Sequence, residues 1–188
     1  MATSTNDHYK QAVLGQFEAA LDMLANCLQR CPQKHWDGII GKYPFWQVAY
    51  HALCFVDLYA STSSKEWQPH EAFHPKGIQE LRKEYPSRTF TKKEILVYLD
   101  LCNEKVRESL ERETSASLAG PSGFSWLKMP RYEVPIYNLR HLQHHVGQLS
   151  AYLRRAKVST KWGWRGRVLV KPVTAQPAGR RRRASSPR

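Results

Sequence analysis

Hydrophobic residues recur at the spacing of amphipathic helices in four parts of the chain. These parts cover about residues 8–31, 45–60, 91–110 and 135–153. Asn6 and Asp7 favour the start of the first helix, and Thr91 and Glu94 have the spacing of a capping box before the third. Amphipathic helices of this length bury their apolar faces against one another. The pattern therefore predicts an all-α fold, a four-helix bundle.

The connections between the predicted helices differ in length. Roughly thirty residues, Ser61–Phe90, form a long crossover between the second and third helices, with a short helix expected around Ile78–Glu84. A second long loop, Ser115–Pro130, contains several large apolar residues, so we expect it to fold over an end of the bundle. Loops of this length are uncommon unless they contribute to function.

The net charge of +13 belongs almost entirely to the C-terminal end. Residues 1–153 contain 17 basic and 16 acidic residues, whereas Arg154–Arg188 contains 12 basic residues and no acidic one. This distribution excludes a globular domain coated with positive charge. We divide the chain into a flexible N-terminus at 1–7, a bundle at 8–155 and a basic tail at 156–188, with disorder expected from about Ser159.

The cysteines and the apolar runs indicate the cellular setting. Four cysteines lie within predicted helices and lack both a disulfide framework and the paired spacing of a structural zinc site: Cys27, Cys31, Cys54 and Cys102. No apolar run approaches the ~20 residues that a bilayer span needs, and the start does not resemble a signal peptide. We expect reduced thiols, no membrane contact and a cytoplasmic location.

Three histidines are the candidate chemistry of the bundle. His141 and His145 lie four residues apart on the fourth helix, which places their Cβ atoms about 5–6 Å apart and allows them to bind one divalent ion. His51 lies one turn from Val48 and Phe55, on the inner face of the second helix. Three convergent imidazoles leave coordination positions open, as in catalytic metal sites.

The three histidines also allow an ordinary structural interpretation. His51 alone is more often a core residue, and the His141/His145 pair alone supports both interpretations equally. Only the three together favour a metal ion. Two neighbours on the same helix, Asn138 and Gln148, could hydrogen-bond the ligand rings and fix their tautomers. His144 is expected to support the ligands rather than to be one.

Two stretches of the chain resemble the DinB/YfiT-like superfamily of metal-dependent proteins. They are WQVAYHAL around His51 and NLRHLQHHVGQLSAYLR on the fourth helix, which contains the pattern HxxxHxGQ. The resemblance spans about residues 8–155. It implies a four-helix bundle with a long crossover, frequent homodimers, and a divalent ion, typically zinc or nickel, bound by His51, His141 and His145.

The resemblance also implies a reaction class. Members with known activity include S-transferases and isomerases that use low-molecular-weight thiols as co-substrates. Many members have Glu where this chain has Leu142, so the resemblance supplies no general base here. We expect a metal-dependent transferase or hydrolase acting on a small molecule. Three aromatic residues are expected to wall its pocket: Trp46, Tyr50 and Tyr137.

A second histidine motif begins at His70, where HEAFHPKG matches the HExxHxxG pattern of zinc proteases. That chemistry needs both histidines on one face of a settled helix, but Pro69 and Pro75 flank the motif directly. Glu80 occupies the position of the third ligand. We expect a loop with two exposed histidines, His70 and His74, and not a protease.

The basic tail has two interpretations. Its aromatic and basic residues could stack on bases and bind phosphates: Trp162, Trp164, Arg165, Arg167, Arg180, Arg181, Arg182 and Arg183. Alternatively, an arginine-rich terminus is simply a solvated end of the chain. The alternative function is therefore a non-catalytic bundle whose tail contacts nucleic acid or an acidic partner.

Overall fold

Helices form where the apolar periodicity predicts them. The computed structural model describes residues 5–82 and 86–164. Its helices are α1 (Thr5–Arg30), α2 (Phe45–Tyr59), α3 (Lys92–Arg112), the short α4 (Ser115–Ala119) and α5 (Glu133–Arg155). A two-stranded hairpin, β1 (Ile39–Ile40) and β2 (Tyr43–Pro44), and two 3-10 turns, Gln33–His35 and Gly77–Arg82, lie between them. The all-α bundle predicted from the sequence is confirmed.

Local chemistry sets the helix boundaries. Before α3, Thr91 Oγ1 accepts a hydrogen bond from the Glu94 N–H at 3.3 Å, and Glu94 Oε2 accepts one from the Thr91 N–H at 2.8 Å, which completes the predicted capping box. The helix α5 begins slightly earlier than expected, at Glu133. Pro135 lies in its first turn, where a missing N–H costs no helical hydrogen bond.

The four long helices pack in a cycle around one core. Each of α1 and α2 packs against both α3 and α5, so α1 and α2 lie diagonally across the bundle. In α2 every residue is buried except His51 and Phe55. Fully buried side chains such as Leu24, Leu53 and Leu149 each contribute about 1.5–3 kcal/mol of apolar transfer free energy. This core fixes α2 against α5, where the histidines converge.

The chain between α1 and α2 forms the hairpin. Ile40 pairs with Tyr43 across a two-residue turn in which Gly41 has a positive φ of 63°, a conformation that favours glycine. Gly38 approaches the Tyr152 hydroxyl so closely that a Cβ at this position would lie 1.8 Å from it. Strands this short carry no alternation that a sequence pattern can reveal.

The long connections pack onto the bundle. In the crossover, Trp67, Phe73 and His74 are buried, and the expected short helix is the 3-10 turn Gly77–Arg82. The second loop folds over the C-terminal end of α2 as expected, because Phe124 packs beside Tyr59.

Two predictions about the chain ends are corrected. Residues 5–7, assigned to a flexible N-terminus, belong to α1. Disorder was expected from about Ser159, but the Lys161 N–H donates to Asn26 Oδ1 at 2.9 Å, and Gln16 Nε2 donates to the Trp164 carbonyl at 3.5 Å. Residues 159–164 therefore lie along α1. The sequence did not indicate this, because helical periodicity cannot reveal a non-helical segment that is held by single polar contacts.

All four cysteines are free thiols, as predicted, and all are buried. Cys27 Sγ lies 3.3 Å from the Ser150 hydroxyl on α5. Burial raises the pKa of Cys27 and Cys31, the latter to about 11, so neither is a thiolate at neutral pH. Among the described residues, no helix has both the length and the apolarity that crossing a bilayer requires.

Candidate metal centre

The packing of α2 on α5 brings three imidazoles together. His51 projects from α2, and His141 and His145 project from successive turns of α5. The ring centroid of His51 lies 5.2 Å from that of His141 and 4.8 Å from that of His145, and the latter two centroids are 4.6 Å apart. Each residue offers a ring nitrogen, and these nitrogens all lie within 4.8 Å of one another.

The distances between the nitrogens suit a shared metal ion. The Nε2 atoms of His141 and His145 are 3.2 Å apart. Two imidazoles bound to one ion at about 2.0–2.1 Å, at an angle near tetrahedral, hold their nitrogens about 3.3 Å apart. The nitrogens of His141 and His145 thus already have the separation of two ligands on one ion, and a His51 nitrogen lies within 4.8 Å of them.

The protonation state also suits metal binding. Burial, with the neighbouring His145, lowers the pKa of His51 to about 4. Burial and the adjacent histidines lower the pKa of His141 to about 3, and burial also lowers the pKa of His145. The rings are therefore neutral at pH 7 and can offer lone pairs. In addition, His141 Nδ1 is buried without a hydrogen-bond partner in the described structure.

Gln148 orients one of the rings. Its Oε1 accepts a hydrogen bond from His145 Nδ1 at 2.9 Å, which leaves the Nε2 lone pair of His145 directed toward the other two rings. The amide nitrogen of Gln148 donates to His144 Nε2 at 3.1 Å. His144 is exposed and contacts the centre through Gln148 and through the edge of the His145 ring.

Asn138 does not contact the histidines. Its side chain is buried, and Nδ2 donates to the Val56 carbonyl of α2 at 3.2 Å. The expectation that it supports a ligand ring is therefore wrong. Asn138 lies one turn before His141. At that turn, α5 faces the backbone of α2 rather than a histidine ring. Leu142 is fully buried in the core and offers no proton acceptor.

A cavity of about 500 Å³ adjoins the centre. Its walls include His51 and His145, together with residues of α2, of the hairpin and of the crossover. Of the three aromatic residues expected to wall the pocket, Tyr50 does so. Trp46 instead packs against Phe90, and Tyr137 packs edge-on against Tyr59.

A second polar cluster lies on the other side of α2. Asp57 there forms an ion pair with Lys105 of α3 and accepts a hydrogen bond from the Tyr98 hydroxyl at 3.0 Å. His74 of the crossover lies 2.7 Å from Tyr98 through Nε2 and 3.0 Å from the Tyr50 hydroxyl through Nδ1. Sequence reasoning missed this cluster, although a single aspartate within the mainly apolar α2 is a signal for it.

Among the described residues, the protease-like motif does not form a cluster of three metal-ligating side chains. His70 is exposed, as expected, but His74 is only 2% exposed, so the prediction of two exposed histidines is wrong for His74. The two rings lie apart because the motif forms a single turn: the His74 N–H donates to the His70 carbonyl at 2.8 Å, and the imidazole then turns into the core.

The proposed nucleic-acid contacts are only partly described. Trp162 is 73% exposed and Trp164 is 79% exposed. The other residues of that prediction lie outside the described residues: Arg165, Arg167, Arg180, Arg181, Arg182 and Arg183.

The fold and the site place the chain among α-helical bundles with three convergent imidazoles that could hold a metal ion. Within this class, the chain belongs to the DinB superfamily, whose sequence model matches residues 16–149. The matched region contains all three histidines and the cavity, and it ends before the basic tail. No curated protein matches the chain significantly.

Proposed function

We propose that the protein is a metal-dependent enzyme that holds a divalent ion on His51, His141 and His145. The observation that supports this most directly is the 3.2 Å separation of two Nε2 atoms with a third imidazole beside them. Three nitrogen donors without a carboxylate suit zinc or nickel better than magnesium or calcium. The adjoining cavity is of a size that takes small molecules.

The chain's own residues prepare the site in three ways. Burial keeps the imidazoles neutral, Gln148 fixes the tautomer of His145, and the packing of α2 on α5 holds the donors close together before any ion binds. A bound divalent ion supplies a Lewis acid that lowers the pKa of a water or thiol ligand. We propose transfer of a low-molecular-weight thiol, or hydrolysis, as the reaction, in a cytoplasmic homodimer.

The first test is metal binding. Purified protein, stripped with a chelator and titrated with Zn²⁺ or Ni²⁺, should bind close to one ion per chain and gain thermal stability by mass action. His51→Ala, His141→Ala and His145→Ala should each abolish tight binding. Gln143→Ala, on the same helix but with its side chain directed toward Met23, is the matched control. A thermal unfolding midpoint that stays unchanged when either ion is added to wild-type protein would refute the proposal.

The second test separates the two reactions. Metal-loaded protein is assayed with p-nitrophenyl acetate for hydrolysis and with 1-chloro-2,4-dinitrobenzene plus N-acetylcysteine for thiol transfer. Turnover in one of the two assays should require both the ion and the intact triad of His51, His141 and His145. Full metal occupancy without turnover above the His141→Ala background in either assay would argue for a binding protein instead.

A second candidate function concerns the tail. The rings of Trp162 and Trp164 are exposed, and the sequence that follows them is strongly basic. We propose that this segment binds single-stranded nucleic acid by stacking and phosphate contacts. Binding of a fluorescent 20-mer should be salt-sensitive, and both truncation after Arg155 and the Trp162→Ala/Trp164→Ala double variant should weaken it. Unchanged binding after truncation would exclude the tail.

A further inference from the structure

The cavity beside the triad has an apolar interior that the metal centre alone does not explain. Val48 and Phe55 of α2 line one side, on the helical face that carries His51. Ile40 and Tyr43 of the hairpin line another. Phe55 is one of only two residues of α2 that are not buried, so its ring keeps an apolar surface open toward the cavity.

The two isoleucines of the hairpin differ in the direction that their side chains face. Ile39 and Ile40 are consecutive strand residues, so their side chains point to opposite faces. Ile40 packs toward the core and lines the cavity, whereas Ile39 is 59% exposed. The hairpin thus presents one apolar residue to the cavity and provides a neighbour of identical chemistry that faces away from it.

The charges around the cavity have one sign. Among the described residues that line it, none is an aspartate or a glutamate, and Lys42 on the hairpin turn is basic. A divalent ion on the triad adds further positive charge. An anionic group is favoured in such a field and a cationic group is disfavoured.

We infer that this cavity takes a small, mainly apolar organic molecule with a single anionic head group that binds the metal ion. The head-group contact rests on the metal centre proposed above, whereas the apolar cavity does not depend on it. The volume of about 500 Å³ lies in the range of small-molecule sites and is too small for a folded partner. Ile40, Val48 and Phe55 then select the apolar part of the substrate.

The experiment uses full-length protein loaded with Co²⁺ and straight-chain hydroxamic acids as probes. Each hydroxamate should shift the visible cobalt spectrum, and its affinity should rise roughly three- to fourfold for each methylene added between acetohydroxamate and hexanohydroxamate. Ile40→Asp should weaken hexanohydroxamate at least tenfold and acetohydroxamate much less. Ile39→Asp, the matched control, should change neither by more than about twofold.

An experiment on metal-free protein tests the cavity independently of the metal centre. Octanoate should displace the fluorescent anion 1-anilinonaphthalene-8-sulfonate from chelator-stripped protein, because the apolar cavity does not depend on the ion. Affinity that is independent of chain length, or equal effects of Ile39→Asp and Ile40→Asp, would overturn the cavity inference while leaving the metal centre intact. Failure to bind Co²⁺, with octanoate still displacing the dye, would instead refute the metal centre.

Discussion

Two polar clusters flank the same helix, and they differ in how completely their atoms are paired. On the α3 side of α2, Asp57 accepts from both Tyr98 and Lys105, and both ring nitrogens of His74 face tyrosine hydroxyls. On the α5 side, the Nε2 atoms of His141 and His145 face each other, and His141 Nδ1 has no partner in the described structure.

The pKa shifts show the same contrast. Burial acts to raise the pKa of Asp57, but His74 and Lys105 outweigh it and hold that pKa below its ordinary value, so the carboxylate stays charged inside a compensating network. In the triad, burial lowers the pKa of His51 and His141, and the rings stay neutral. The Asp57 cluster therefore pairs its polar atoms within itself and joins the elements around it, whereas the histidine cluster keeps ring nitrogens that could bind a ligand.

Removal of the Asp57 carboxylate should produce the largest loss of stability. Asp57→Ala leaves Lys105 without its ion-pair partner and the Tyr98 hydroxyl without an acceptor, so the free energy of unfolding should fall by about 3 kcal/mol in urea denaturation. Asp100→Ala on the exposed face of α3 should stay within about 0.5 kcal/mol of wild type.

Metal affinity should be nearly the same in Asp57→Ala as in wild type at a temperature where the variant is folded. A parallel loss of metal affinity and stability would show that the two sides of α2 are not independent.

Removal of a triad ring should have the opposite pattern. His141→Ala should lower the affinity for Zn²⁺ at least 100-fold, more than the ~10–100-fold typical of groups that only support ligands. The metal-free form should lose little stability, because the substitution also removes an unpaired buried nitrogen. Calorimetric titration and urea denaturation of the same preparation measure both quantities. If metal-free His141→Ala is destabilised as strongly as Asp57→Ala, the triad is a structural network as well.

The two clusters should respond to acid in different pH windows. The triad rings have ordinary pKa values near 6.5 when unfolded and lower ones when folded, so the unfolded state takes up protons first as the pH falls. Metal-free protein should therefore lose stability between about pH 6.5 and 4, by about 2 kcal/mol after allowance for the solvent at partly accessible rings.

The Asp57 contribution should persist through that window and decline only below the ordinary carboxyl value of 3.8, because its folded pKa is depressed. Urea midpoints of wild type and of the His51→Gln/His141→Gln variant, compared from pH 7.5 to 4.5, measure the difference. If the urea midpoint changes with pH equally in the two proteins, the loss of stability in this window does not come from the triad histidines.

The contrast between the clusters also explains what the sequence could reveal. His51, His141 and His145 lie on long periodic helices, so helical spacing alone indicates that they face the core and can converge. His74 lies in an aperiodic crossover, and its partners Tyr50 and Tyr98 are each 24 residues away along the chain. No local pattern encodes such a contact.

The hairpin and Asn138 show the other limits of sequence reasoning. Strands of two residues are too short for alternation to be recognised, so the wall formed by Ile40 and Tyr43 was not predicted. Helical spacing placed Asn138 on the correct side of α5 but could not tell that its neighbour there is the Val56 carbonyl. The contact between Gln148 and His145 is within reach of sequence reasoning, because an i, i+3 contact within one helix needs no knowledge of the partner helix.

Gln148 offers the finest test of the comparison, because its side chain hydrogen-bonds a ring of the triad from outside it. Gln148→Ala removes the acceptor that holds the proton on His145 Nδ1 and should lower Zn²⁺ affinity about tenfold. Gln148→Glu retains an acceptor and should preserve or raise that affinity, which a merely steric role would not predict. Gln143→Ala, on a face of α5 that points toward Met23, is the matched control and should leave zinc binding unchanged. Equal affinities for Gln148→Ala and Gln143→Ala would mean that α5 packing alone orients the His145 ring.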